Sequence, residues 1–341
     1  MMSSNFKNRV SSKFNSKKDL YNYYIMIFFL TIIGGLLAYG LVIYKNPVPI
    51  SSPSFEPIFK RRMVAIIAMA IATICQCIGT ITFQSITNNK IITPSLLGFD
   101  ALYSAIQTST LFFFGVSSFL NFTGTKAFFI QVIIMIIFSL CIYGILLSDR
   151  YNNMQLMLLT GIVLGTGLRS ISSFMRRLLS PSEFDILQAK LFASVNNADK
   201  SYFPIVIPIV IIVVILILKE CKNLNVLSLG KSVSINLGIN YKRKIFYLLS
   251  LVSILMAIST ALIGSMTFFG FLIATLSYEL TKTYDHKFLY PMAISLGFMV
   301  LTGSYFLMYH VFNAQGVVSI IIELIGGISF IILVMRKGSI T

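Results

Sequence analysis

Tryptophan is absent from this 341-residue chain, and histidine and acid are scarce: two His, and 11 Asp plus Glu against 27 Lys plus Arg. Charged residues of both signs make up only 11% of the sequence. A soluble domain carries roughly 25%, so the chain lacks the charge to cover a water-facing surface. His286 and His310 each stand alone in a predicted loop or helix end. The four cysteines, Cys75, Cys77, Cys141 and Cys221, show neither metal-ligand nor redox spacing. These shortages argue against a zinc or haem site built by this chain alone. The two longest interruptions of the apolar pattern, 176–202 and 220–244, hold no Gly-rich phosphate loop, no Ser-His-Asp arrangement and no paired catalytic carboxylates. The chain is therefore expected to be no enzyme, and any ATP that drives it must be hydrolysed by another subunit.

What is present is apolar. Hydrophobic residues make up 56% of the sequence and the mean hydropathy is +0.86. A hydrocarbon core of about 30 Å needs about 20 apolar residues in a helix. Runs of that kind fall at 23–44, 63–83, 96–116, 127–147, 155–175, 203–219, 245–264, 266–281, 288–309 and 317–335. Only helices and closed barrels satisfy the backbone in lipid, and these runs are far too long for barrel strands. The expectation is an all-α polytopic membrane protein of about ten transmembrane helices. The break at Ile263-Gly264-Ser265 is the least marked.

The excess of base gives a formal charge of +16. In a soluble protein it would suggest nucleic acid, but here Lys and Arg stand mainly at the ends of apolar runs, where the positive-inside rule places them. With the N-terminus inside, the larger share falls on the cytoplasmic side. Residues 1–22 are polar and lack a cleavage site, so they read as a cytoplasmic tail rather than a signal peptide. Residues 23–335 form one transmembrane domain containing a cytoplasmic segment at 220–244, and 336–341 form a short C-terminal tail.

Ionisable residues inside spans are candidate functional groups because the bilayer makes them costly. Asp100 near the start of the third span, Arg169 late in the fifth and Glu323 in the tenth are the main ones. Asp100 and Glu323 are candidate pathway residues, with a helix–helix hydrogen bond the alternative role for Glu323. Asp149 and Glu279 lie near interfaces. So short an inventory argues against a proton-coupled carrier. Glycines such as Gly34-Gly35, Gly161, Gly165, Gly264, Gly270 and Gly326-Gly327 permit close helix crossings.

Two polar segments stand out. One runs from Phe83 to Asp100 and includes Gln84, Asn89, Pro94, Leu97 and Gly98, with Pro94 placed to open the next helix. The other, 224–240, is a short amphipathic pattern broken at Gly230 and again at Gly238. On chemistry alone it is either an interfacial helix lying on lipid or a docking surface for a partner.

The second segment resembles the cytoplasmic coupling region of the FecCD-type permeases through Leu224, Asn225, Leu227, Leu229, Gly230, Leu237 and Gly238, with Ser234 where that family has Ala. The first is similar to the family's loop signature through Gln84, Asn89, Pro94, Leu97 and Gly98. Gly264-Ser265-Met266-Thr267-Phe268-Phe269-Gly270 and Leu324-Ile325-Gly326-Gly327 resemble two further motifs, in the right order. The likeness runs from about residue 60 to the C-terminus.

The resemblance implies the type II ABC importer permease fold of the vitamin B12 importer. It also implies two permeases, two cytoplasmic ATPase subunits that carry ATP and Mg, and an extracytoplasmic binding protein. This chain would bind no cofactor and no nucleic acid, and would sit in a bacterial cytoplasmic membrane with both termini inside. Residues 224–240 would be two coupling helices seated on the ATPase. Lys60, Arg61 and Arg62 resemble the basic cluster that meets the binding protein, with ordinary interfacial anchoring the alternative.

The sequence also departs from the family pattern. Lys90 replaces a Pro, Ala101-Leu102 replaces Gly-Ala, Ile273–Tyr278 replaces a Val-Pro-His-x-x-Arg motif, and a Pro-Val-Gly before the last helix is missing. These departures resemble the members that carry ferric catecholates such as petrobactin or anguibactin, where two different permeases pair. Haem, cobalamin or another iron chelate remains the alternative cargo, and an ion-coupled secondary carrier the alternative machine.

Overall fold

The structure is a computed structural model that describes residues 14, 16–44, 52–53, 55–121, 124–146, 154–195, 198–312 and 317–338. Asp149, Arg150 and most of the predicted N-terminal tail lie outside the described residues. Helix dominates, and no strand runs among the described residues. In chain order the helices are α1 (Lys17–Ile43), α2 (Phe55–Thr87), α3 (Phe99–Asn121), α4 (Thr125–Leu146), α5 (Met154–Arg177), α6 (Pro181–Leu191), α7 (Phe203–Lys219), α8 (Cys221–Leu227), α9 (Lys231–Asn236), α10 (Tyr241–Ile263), α11 (Phe269–Thr281), α12 (His286–His310) and α13 (Val318–Gly338).

Each of the ten predicted spans lies on one helix, most to within a few residues, while α1 and α2 begin at Lys17 and Phe55, well before the spans predicted at 23–44 and 63–83. Among the described residues, seven of these helices, α1, α2, α4, α5, α7, α10 and α12, are long and apolar enough to cross a membrane. Two of the other three, α11 and the first part of α13, are apolar but shorter. The third, α3, bends at Gly115, which has φ +74° and ψ 173°.

Polar side chains fix where several helices begin. Ser16 accepts from the Lys18 amide at the start of α1, with Asp19 in its first turn. Asn240 and Asp285 do the same for α10 and α12. Each satisfies an amide that has no partner within its helix.

Helices α2 and α10 form the centre. They pack on each other, and α2 is buried almost continuously from Ala68 to Thr87. Helices α11 and α12 lie on α2, α4 on α10, α1 on α12, and α3 on α5. Where α1 crosses α12, a Cβ on Gly34 would come within 3.3 Å of the Met299 backbone, the close approach that small residues permit.

Two local expectations are corrected. Pro94 does not open α3: it opens a single 3-10 turn, Pro94–Leu97, and Gly98 at φ +106° then separates that turn from α3. The interruption at 176–202 holds a helix, α6. Ser180 accepts from the Glu183 amide while Glu183 accepts from the Ser180 amide, and Pro181 occupies the first turn. This reciprocal cap is a sequence-level start signal, and the apolar-run count passed over it.

The basic cluster at 60–62 divides. Arg62 Nη1 donates to the carbonyls of Leu41, Val42 and Tyr44 at 3.1, 2.9 and 3.4 Å, so it caps the C-terminal end of α1. Lys60 pairs with Glu56 one turn away, and both Lys60 and Arg61 stay exposed. Arg62→Ala is expected to cost about 1–3 kcal/mol, because carbonyls at a helix end lose charge-assisted bonds. Arg61→Ala should fall within about 0.5 kcal/mol of wild type. Thermal unfolding of the two variants in detergent compares them; equal midpoints would refute the capping role.

Candidate functional site

Length shows where irregular backbone enters the membrane. Helix α11 has 13 residues, which at 1.5 Å per residue spans about 20 Å against a core of about 30 Å. The break at 264–268 between α10 and α11 therefore lies at membrane depth. A second irregular stretch meets it: the Ser194 amide donates to the Ile263 carbonyl at 2.8 Å, and Ala193 lies against Gly264. A third is the turn at 94–98, which packs on Gly161 and Gly165 of α5. Helix order puts the α2–α3 and α10–α11 connections at opposite ends of their spans, yet Thr267 Oγ1 donates to Asp100 Oδ2 at 2.7 Å. Non-helical backbone at this depth is tolerated only where it is buried in protein or lines a cavity.

It lines one. A groove of about 470 Å³ opens between α3, α5, α6 and α13, and its wall includes Asp100, Arg169, Arg176, Ser265, Thr267 and Glu323. Asp100 is buried, and the Ser265 hydroxyl lies 3.3 Å from that of Thr267, which holds the carboxylate. Arg176 donates to Ser104 Oγ at 3.0 Å and to the Ser172 carbonyl at 3.3 Å. Arg169 and Glu323 are exposed to the groove. The two candidate pathway carboxylates thus meet in one place, together with two arginines.

Helix α5 adds a second observation. Thr166, Arg169, Ser170, Ser173 and Arg177 are all exposed on it. An arginine facing hydrocarbon at depth costs several kcal/mol, so this face does not belong against lipid.

At the other end the coupling segment is built as two short helices, α8 and α9, separated by Gly230 at φ +100° and followed by Gly238 at φ +80°. The expected residues fall into three groups. Leu224 and Leu227 are fully buried and anchor α8 on α2 and α12. Leu229 and Leu237, each 61% exposed, are uncovered apolar side chains, as are Val233 and Ile235. Asn225 points inward, and its Nδ2 donates to Asp285 Oδ1 at 3.1 Å.

The loop-motif residues turn the chain and do not reach the groove. Gln84 Nε2 donates to the Lys90 carbonyl at 2.6 Å, and the Asn89 amide donates to the Gln84 carbonyl at 3.1 Å. Asn89 Oδ1 accepts from the Ile91 amide at 2.9 Å. Leu97 is buried beside Gly161.

The profile of the FecCD transport family matches residues 23–336. The chain belongs to the FecCD transport family. It is 60% identical over 334 residues to the petrobactin import system permease protein FatC of Bacillus anthracis, covering 98% of this chain and 94% of that one. It is 38% identical over 278 residues to the petrobactin import system permease protein YclO of Bacillus subtilis (strain 168), covering 82% and 88%. A solved metal-chelate type ABC transporter in an inward-facing conformation superposes with a TM-score of 0.73 at 19% identity, covering 92% of this chain and 99% of that one. At that identity the likeness speaks to fold, and the fold is that of a type II ABC importer permease. As a FecCD member the chain is a multi-pass membrane permease subunit of an ABC importer.

Proposed function

We propose that this chain is one half of a two-permease pathway that carries ferric petrobactin, a catecholate-type siderophore, inward across a bacterial cytoplasmic membrane. The observation that carries the cargo is the 60% identity over 98% of the chain to a petrobactin import permease. The uncovered polar face of α5 and the open groove beside it meet a second, different permease, and the pathway runs between the two. Leu229, Val233, Ile235 and Leu237 seat on one of two cytoplasmic ATPase subunits that bind ATP and Mg. An extracytoplasmic binding protein delivers the chelate to the opposite end, where Arg61 and the Glu56-paired Lys60 are exposed to meet it. Both termini lie on the ATPase side. The chain itself catalyses no reaction. Hydrolysis in the partner biases a two-state pore, and a bulky chelate passes a wide groove lined by charged and hydroxyl side chains.

Uptake of radiolabelled iron, chelated by petrobactin or by a hydroxamate, into cells with and without the gene tests this reading. Loss of the petrobactin signal alone is expected. Loss of the hydroxamate signal alone would keep the machine and change its cargo, and loss of neither would overturn the import role.

A further inference from the structure

We infer that His286 is the positioning residue that joins the coupling helices to the membrane core. Movement of α8 would then reach α2 and α12 through its two ring nitrogens. This rests on the reading of α8 and α9 as the ATPase seat. His286 opens α12 and is buried. Its Nδ1 donates to Asn225 Oδ1 of α8 at 2.5 Å, and its backbone amide donates to the same oxygen at 3.2 Å. Its Nε2 lies 2.6 Å from Ser85 Oγ, two residues before the end of α2. The Ser85 hydroxyl stands between that nitrogen and the Ile81 carbonyl, 2.9 Å away. Asn225 completes the joint from its other side, since the Asp285 oxygen that receives its Nδ2 also caps α12 through the Lys287 amide at 3.1 Å.

Three segments far apart in sequence therefore meet at one imidazole: the end of α2, α8 and the start of α12. The remaining contacts of α8 with the core are largely apolar, through Leu224 and Leu227, and apolar surfaces slide without a preferred direction. The directional bonds are those of Asn225 with His286 and Asp285, and His286 alone carries them on to α2 through Ser85. Helix α12 then packs along α2 and α13, and α13 carries Glu323 into the groove. A displacement of α8 that keeps the joint closed moves the start of α12, and with it one wall of the pathway. Asn225 lies within the coupling motif, but Ser85 and His286 lie outside it, so only the fold brings the three together.

The test uses the whole importer, with its ATPase and binding protein, in proteoliposomes, and compares uptake of radiolabelled ferric petrobactin with ATP hydrolysed, at measured permease content. His286→Ala is expected to lower uptake per ATP by about tenfold, within the range of coupling energies found between linked sites. His286→Asn keeps a donor near Asn225 and loses the Ser85 arm, so it should match Ser85→Ala. If His286→Ala fails to accumulate, the His286→Asn and Ser85→Ala pair carries the test. A ratio within about twofold of wild type in Ser85→Ala and in whichever His286 variants accumulate overturns the inference. The control is Leu229→Glu with Leu237→Glu. If that pair keeps normal uptake, the seat reading itself fails. If it fails to transport while the His286 and Ser85 variants stay normal, only the joint is refuted.

Discussion

Gly230→Pro is expected to abolish most transport while leaving the protein in the membrane. Gly230 sits at φ +100° and ψ 170°, between α8 and α9, a region that L-residues with a side chain rarely occupy. Proline fixes φ near −65°, so the turn cannot form and α9 must leave α8 in another direction. The substitution also removes the Gly230 amide, which donates to the Leu227 carbonyl at 3.0 Å. Leu229 on one side of the turn and Leu237 on the other, both exposed, would then be displaced relative to each other. Leu224 and Leu227 stay buried upstream, and the apolar spans are untouched, so insertion should proceed. A barrier raised by about 1.4 kcal/mol already lowers a rate about tenfold, and loss of the seat geometry should exceed that. Uptake by cells and membrane abundance by immunoblot separate the two effects. Normal uptake at normal abundance would show that the ATPase does not read the angle between the two helices.

How much of this was legible in the sequence depends on the range of the physics involved. Apolar runs are local, and each predicted span lies on a helix. The breaks at Gly230, Gly238 and Gly264 were also legible, since small residues at the edge of an amphipathic pattern mark turns. The meeting of Asp100 with Thr267, or of Ser85 with Asn225 and His286, is not local. The partners are separated by 167, 201 and 61 residues, and nothing in a short window says which span will lie beside which. His286 read as a lone histidine at a helix end. Arg62 read as one of three equivalent bases, because a side chain that caps the preceding helix looks, in sequence, like one that faces a partner. Helix α6 was legible through Ser180, Pro181 and Glu183, and was missed because its apolar content is too low for a span count.

The three irregular stretches explain why the Asp100 carboxylate sits where it does. A straight α10–α11 helix would carry Ser265 and Thr267 past the groove with their hydroxyls turned by the helical repeat. Ending α10 at Ile263 instead aims the Thr267 hydroxyl at Asp100, and the freed Ile263 carbonyl is taken up by the Ser194 amide. The break thus serves the groove twice, by holding the carboxylate and by seating 192–195 against its wall.

Gly264→Val should destroy that arrangement, with an effect on the folded state larger than at any exposed glycine. Gly264 has φ +108° and ψ −174°, which is strained for any residue with a Cβ and most of all for a β-branched one. A Cβ there would also lie 3.0 Å from the Ala193 Cα and 3.3 Å from the Phe192 carbonyl, both backbone atoms of the facing segment. Backbone strain costs about 1–3 kcal/mol, and overpacking a close contact adds about 1–3 kcal/mol. A loss of about 2–6 kcal/mol is a large part of the 5–15 kcal/mol that holds a typical native protein. Gly115 separates the two costs: its φ is +74° but nothing lies within 4 Å of its Cβ position, so Gly115→Val bears the strain without the collision. Detergent thermal unfolding and membrane abundance should therefore fall clearly further for Gly264→Val than for Gly115→Val. If the two variants lose stability equally, the contact between 192–195 and the α10–α11 break contributes nothing, and the groove must be held together by its hydrogen bonds alone.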